Sequence, residues 1–324
     1  MTVIRTRLLF TLFLTMLTCR AASAQVDLVG TWVGINNQEA TDRGGGPRMV
    51  DYTGIPLNEE GRAKALSYSP NVYGQIERQC VHYNPSYTLI GPFGFPIQNE
   101  YDGAGNIVAI VIGSWVDKAP MAIWMDGRPH PSKNAQLLVG GFTTGVWQGE
   151  TLVTTTTHMK TNYLRRNGTP TSDASVLTMY FVRHGDLLTV TGSVEDPIYL
   201  TEPFVLSKTL RLGSTPMTPL VQHCQPEYEG VAEGSVPHFL PGQHPAMDEM
   251  TQAYGIPQVA ALGGAATMYP EFRKTIKDQF VRPEKCPSAC GGGGGNQLGL
   301  FQPVPPFPPT LYPQIPSAPE PRRR

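Results

Sequence analysis

Charge is scarce in this chain. Only 16% of its 324 residues are Asp, Glu, Lys or Arg, against about a quarter in ordinary soluble domains. Beyond the N-terminus no apolar run approaches the roughly 18 residues of a membrane helix, so no span is expected once that segment is removed. There is no Gly-x-Ser-x-Gly elbow, His-Glu-x-x-His pair, P-loop or dinucleotide fingerprint, and the chemistries that those motifs carry lose their sequence support. Gly44-Gly45-Gly46 precedes no helical pattern and offers no phosphate cradle. What the chain has in excess is turn-formers. Its 34 Gly and 31 Pro make about a fifth of the residues, where roughly 12% is usual. With 40% apolar content it can still bury a core, which excludes general disorder.

The first residues read as a secretory signal. Arg5 and Arg7 precede an apolar run over 8–17, and Ala22-Ser23-Ala24 stands before Gln25, the charged, apolar and small-residue parts of such a segment. Residues 1–24 are expected to be removed on export to a periplasmic or extracellular space; lipid anchoring at Cys19 is the alternative. Removal takes away three arginines and leaves 22 basic against 26 acidic residues, a net charge of −4. That balance gives no pull on nucleic acid. Four cysteines remain, in a compartment that permits disulfides. The preferred pair is Cys80 with Cys224, which would close a long loop. Cys286 and Cys290 are one residue too far apart for a CxxC site, and His238 and His244 flank Leu240-Pro241-Gly242 with no regular element to converge them. No metal and no cofactor is expected.

From residue 25 to 212 the punctuation is that of an antiparallel β-meander. Short apolar or Thr-rich runs at 28–34, 106–113, 119–125, 137–147, 151–158, 175–183, 187–194 and 199–209 alternate with short Gly, Asp and Asn turns. Eight runs are the right order for a closed barrel. In 175–183, Leu177, Met179 and Phe181 share one face and Tyr180 lies on the other; in 151–158, His158 shares a face with Leu152, Thr154 and Thr156. Residues 213–282 are a Pro-punctuated extension with helical spacing at 245–254 and 270–280, expected to pack on the barrel. Residues 283–324, with a Gly run, a polyproline stretch and three terminal arginines, read as a disordered tail.

The opening Gly30-Thr31-Trp32 of the first run, and the segments Trp124-Met125-Asp126-Gly127-Arg128-Pro129-His130-Pro131, Thr157-His158-Met159-Lys160, 163–168, 196–203 and 236–242, resemble a family of exported bacterial proteins of unassigned function. The resemblance covers roughly residues 27–277 and implies a lipocalin-like barrel; it implies no activity and no catalytic residue.

Three functions are open to these residues. The first is binding of a small, mainly apolar ligand inside the barrel, with Trp32, Trp124, Tyr180 and Phe181 as wall candidates and His158 and Arg165 as orienting groups. The second is a cofactor-free lyase, hydratase or isomerase with His130 or His158 as base and Asp126 orienting it at the barrel mouth; against it, Asp126-Gly127 is also an ordinary turn. The third is an envelope interaction protein acting through its Pro-rich tail. For 195–203, turn capping by Asp196 and a salt bridge from Glu202 are expected, since Tyr199 and Glu202 are three apart and face opposite ways in a regular strand.

Overall fold

The computed structural model describes residues 26–35, 47–70, 74, 76–91, 94–113, 119–214 and 237–281. The expected signal segment, Cys224, and the Gly- and Pro-rich tail with Cys286 and Cys290 lie outside the described residues.

The strands are β1 (Gly30–Gly34), β2 (Phe95–Tyr101), β3 (Ile107–Ile112), β4 (Met121–Trp124), β5 (Phe142–Gln148), β6 (Thr151–Thr157), β7 (Asn162–Tyr163), β8 (Pro170–Thr171), β9 (Val176–His184), β10 (Leu187–Glu195) and β11 (Phe204–Leu212). The protein is mainly β, as expected. Nine strands close a barrel in the order β1-β11-β10-β9-β6-β5-β4-β3-β2, and β7 and β8 pair apart from it.

Closure with nine strands has a topological consequence. Going once round the ring, strand direction must return to itself, so the number of antiparallel joins is even. Nine joins therefore include a parallel one. It falls between β4 and β5, which pair only at Ile123 with Thr143 and Trp124 with Thr144; the other eight joins are antiparallel. A chain leaving β4 must travel back along the wall before β5 can start in the same direction. Residues 125–141 make that return, and we call them the strap.

Register then fixes the faces, because directly opposed residues share one. Leu152, Phe181, Val190 and Lys208 form one inward row across β6, β9, β10 and β11, and all four are buried. The outward row beside it runs Val146, Val153, Tyr180, Thr191 and Ser207. The described part of the C-terminal extension does not cover that face, and Tyr180 and Val205 stay 43% and 62% exposed.

The lumen is filled by protein. The insertion between β1 and β2 holds α1 (Glu59–Leu66), capped by Asn58, which accepts from Gly61 N at 2.8 Å, and the one-turn α2 (Tyr87–Ile90), all four residues of which are buried. Gly192 faces inward on β10, and a Cβ there would lie 2.5 Å from Leu89 Cδ2; the missing side chain is the space that Leu89 fills. Lys208 Nζ donates to the carbonyl of Gly91, the residue that ends α2, at 2.5 Å, setting a positive charge where the helix carbonyls converge.

The extension supplies α3 (Glu249–Tyr254), α4 (Gln258–Ala261) and α5 (Pro270–Ile276). It docks on the same insertion through Arg48, which donates to Glu249 at 2.6 Å and Tyr254 at 2.7 Å, and through Tyr52 N to Ala261 O at 2.9 Å. The Tyr269 hydroxyl donates to Glu202 at 3.1 Å.

If Leu89 plugs the lumen at Gly192, Leu89→Ala costs about 2–5 kcal/mol and Gly192→Ala about 1–3 kcal/mol in urea unfolding. The double variant then costs clearly less than their sum, since the added methyl enters the emptied space. Strict additivity would show that the two do not meet.

Candidate functional site

The strap brings together the residues that the sequence marked for chemistry, in an arrangement different from the expected one. Trp124, the last residue of β4, faces outward by register with Thr144. Arg128 stacks over its ring with the guanidinium carbon 3.6 Å from the centroid. The same guanidinium donates to Asp126 through Nε at 2.9 Å and Nη2 at 2.5 Å, and these bonds hold the Asp126 carboxyl below the usual carboxylate range. Asp126 is thus engaged by arginine and does not orient His130.

Both nitrogens of His130 are taken by threonines. Nδ1 lies 2.8 Å from Thr157 Oγ1 and Nε2 lies 2.8 Å from Thr144 Oγ1, while Phe142 meets the ring edge-on at 5.3 Å. Phe142 and Thr144 stand on the outward face of β5, and Thr157 is paired with Phe142, so His130 sits on the outside of the barrel. His158 continues the chain: Nδ1 is 2.8 Å from the same Thr157 hydroxyl and Nε2 is 2.9 Å from the carbonyl of Ser132 in the strap.

One group in this chain has a fixed role, and it fixes the others. The Ser132 carbonyl only accepts, so His158 Nε2 carries a proton. In the neutral ring Nδ1 then accepts from Thr157, Thr157 accepts from His130 Nδ1–H, and His130 Nε2 accepts from Thr144. The hydrogen bonds all run one way, from β5 through His130, Thr157 and His158 to the strap backbone. Burial first, and His158 second, lower the affinity of His130 for a proton.

Alternation puts His158 on the face of Leu152, Thr154 and Thr156, which the register with β9 makes the inward one. It leaves the strand instead, with φ at +58°, a conformation that costs a non-glycine residue about 1 kcal/mol. Alternation stops where the backbone leaves the extended region, and the ring turns to the strap. The remaining candidates are dispersed as well. Trp32 and Phe181 face inward and are fully buried, with Trp32 Nε1 donating to Leu28 O at 2.8 Å. Tyr180 faces out, as its alternation with Phe181 requires. Arg165 is buried in the turn joining β7 and β8, apart from the ring. Asp196 is the turn cap expected of it, accepting from Ser172 N at 2.6 Å and Ile198 N at 3.0 Å. Cys80 lies after a short 3-10 turn, and its expected partner is outside the described residues.

The parallel seam also opens the wall. Beyond Trp124 the chain leaves the sheet while β5 runs on to Gln148, and a notch of about 460 Å³ remains between β3 and β5, lined by Asn106, Ile107, Met125, Gly127, Gly145, Val146 and Trp147. Gly145 faces inward, and a Cβ there would lie 2.6 Å from Ile123 Cγ2 and 2.8 Å from Met125 Sδ. Trp147 and Met125 were not singled out in the sequence; their signal was available only through the early end of β4. Among the described residues no group of three or more His, Cys, Asp or Glu is placed to hold a metal.

Comparisons with protein-family models, curated proteins and solved structures find no match to the chain. The resemblance noted above is therefore supported by the closed barrel alone.

A histidine whose proton affinity is lowered by folding binds its proton more readily in the unfolded chain. Folding stability from His130, and from the buried His244, whose affinity burial also lowers, is thus full above the ordinary imidazole value of 6.5 and is lost as pH falls below it. The melting temperature is expected to drop between pH 7.5 and 5.5, and His130→Gln to flatten part of that slope. An unchanged slope in the variant would remove His130 from the account.

Proposed function

We propose that the protein is an exported barrel that binds a small, mainly apolar ligand at the notch in its wall, and not in the lumen. The observation that supports this is the notch itself: an open cleft walled by Ile107, Met125 and Trp147, with Asn106 as its polar side chain, of a size usual for small-molecule sites. The original wall candidates serve it poorly. Trp32 and Phe181 are sealed into a packed interior, and Trp124 carries Arg128 on its outer face. The proton-transfer reading has less behind it, since each ring nitrogen of His130 is engaged and Asp126 is bound to arginine.

Val146 is 56% exposed on the rim, so Val146→Asp leaves the fold in place and sets a charge against any apolar ligand. With the dye N-phenyl-1-naphthylamine, saturable fluorescence enhancement is expected, weakened about 10-fold in that variant and unchanged in Val205→Asp, whose site is equally open on the far wall. Equal binding by both variants sinks the reading.

Export belongs to the same proposal. The mature chain is expected to begin at Gln25 by N-terminal sequencing, and non-reducing peptide mapping to join Cys80 to Cys224. A chain that still begins at Met1 would overturn export, and Cys80 joined to either of the other two cysteines would overturn the pairing.

A further inference from the structure

A second cleft lies away from the barrel wall, where α1 ends. Its lining includes Lys64, Ser67, Tyr68, Ser69, Tyr163 and His238, around about 410 Å³. Two of the segments singled out in the sequence and not used by the notch meet here: Tyr163 from 163–168 and His238 from 236–242. They are brought together by backbone pairing. Tyr68 bridges His238, Phe239 N donates to Ser67 O at 2.8 Å, and Tyr163 belongs to the β7–β8 pair. Tyr68 and Tyr163 meet edge to face at 5.1 Å, and the half-buried Tyr163 is the ring of the pair with surface left to face the cleft. Tyr68 is buried and Tyr163 half-buried, while Lys64 and His238 are exposed at the rim. Burial, and then Tyr199, push the Tyr163 phenol up, so it stays neutral.

Among the described residues the ionisable groups of the lining are one ammonium, one imidazole and two phenols, with no carboxylate. On α1, Glu60 lies four residues before Lys64, one turn along the same side of the helix, and is exposed like it; it is not among the described lining residues. A ligand that fits this cleft has a planar ring to lie against the tyrosines and a negative group to meet the rim. We infer that the cleft is a binding site for a small aromatic carboxylate, distinct from the notch and independent of the apolar ligand proposed there.

The test is titration of the full chain with benzoate, followed by line broadening and saturation transfer in NMR, beside cyclohexanecarboxylate and benzyl alcohol. Benzoate is expected to bind, with cyclohexanecarboxylate and benzyl alcohol each at least about 10-fold weaker. Lys64→Gln, at an exposed position that leaves the fold intact, is expected to weaken benzoate about 10-fold and to leave benzyl alcohol unchanged. Val146→Asp leaves benzoate binding unchanged, so that failure at the notch and failure here are read separately. No benzoate binding up to about 10 mM, benzoate binding insensitive to Lys64→Gln, or equal binding of cyclohexanecarboxylate would each overturn the inference.

Discussion

A closed ring of nine strands cannot be antiparallel throughout, and most of what is particular to this protein follows from that constraint. The single parallel join at β4 and β5 forces a return path, and the return path is the strap. Because the strap leaves the sheet early, the wall is open where β4 stops. Because it runs back over the outer face of β5, it needs fastening there, and His130 and His158 supply the fastening through two threonine hydroxyls and one backbone carbonyl. Eight strands would have needed none of this.

The segments that stood out in the sequence turn out to be seams between layers. Residues 124–131 and 157–160 join strap to barrel. Residues 196–203 join the barrel to the insertion that carries α1 and α2, with Leu200 bridged to Leu57 and the Tyr199 carbonyl accepting from Asn58 N at 2.9 Å. Residues 163–168 and 236–242 meet at the end of α1. In each seam polar groups that must be buried find partners across the join: Asn167 donates to the carbonyls of Arg48 and Asp51 at 3.0 and 2.9 Å, which satisfies backbone that has no sheet to pair with. The scarcity of charge fits this picture. Where layers meet, hydrogen bonds to backbone and hydroxyls do the joining, and charged side chains such as Arg48 and Lys208 are held by specific acceptors.

The barrel was legible in the sequence because most of its strands announce themselves by apolar or Thr-rich runs between short turns. β2 was not, since Phe95-Pro96-Ile97-Gln98-Asn99-Glu100-Tyr101 carries a proline and three polar residues in a row. Pro96 is tolerated near the strand's start, where its carbonyl still accepts from Gly113 N. The first part of the run expected at 137–147 went to the strap, where Leu138 pairs with Met159 in parallel, a preference no local pattern records. The plug was hidden for a different reason: four buried residues in one helical turn are too few for a periodic signal, and the complementary glycine is on a strand a hundred residues away. The site was read least well. Which residues carry imidazole and carboxylate was plain, but their neighbours depended on a path along the outside of the barrel and on one residue, His158, leaving extended geometry.

The plug also ties the two ends of the barrel's chain together. Leu89 lies in the chain between β1 and β2, yet its seat at Gly192 is on β10, and the lock on Gly91 comes from Lys208 on β11, the last strand. β1 closes the ring against that same strand, pairing Trp32 with Leu212. Such remote contacts are slow to form, because the loop entropy is spent before they give anything back. The seat of the plug is therefore complete only once β10 and β11, the last strands of the ring, are in place. The structure resembles a cask whose filling is held by its last stave: the strand that closes the ring is also the one that holds the plug.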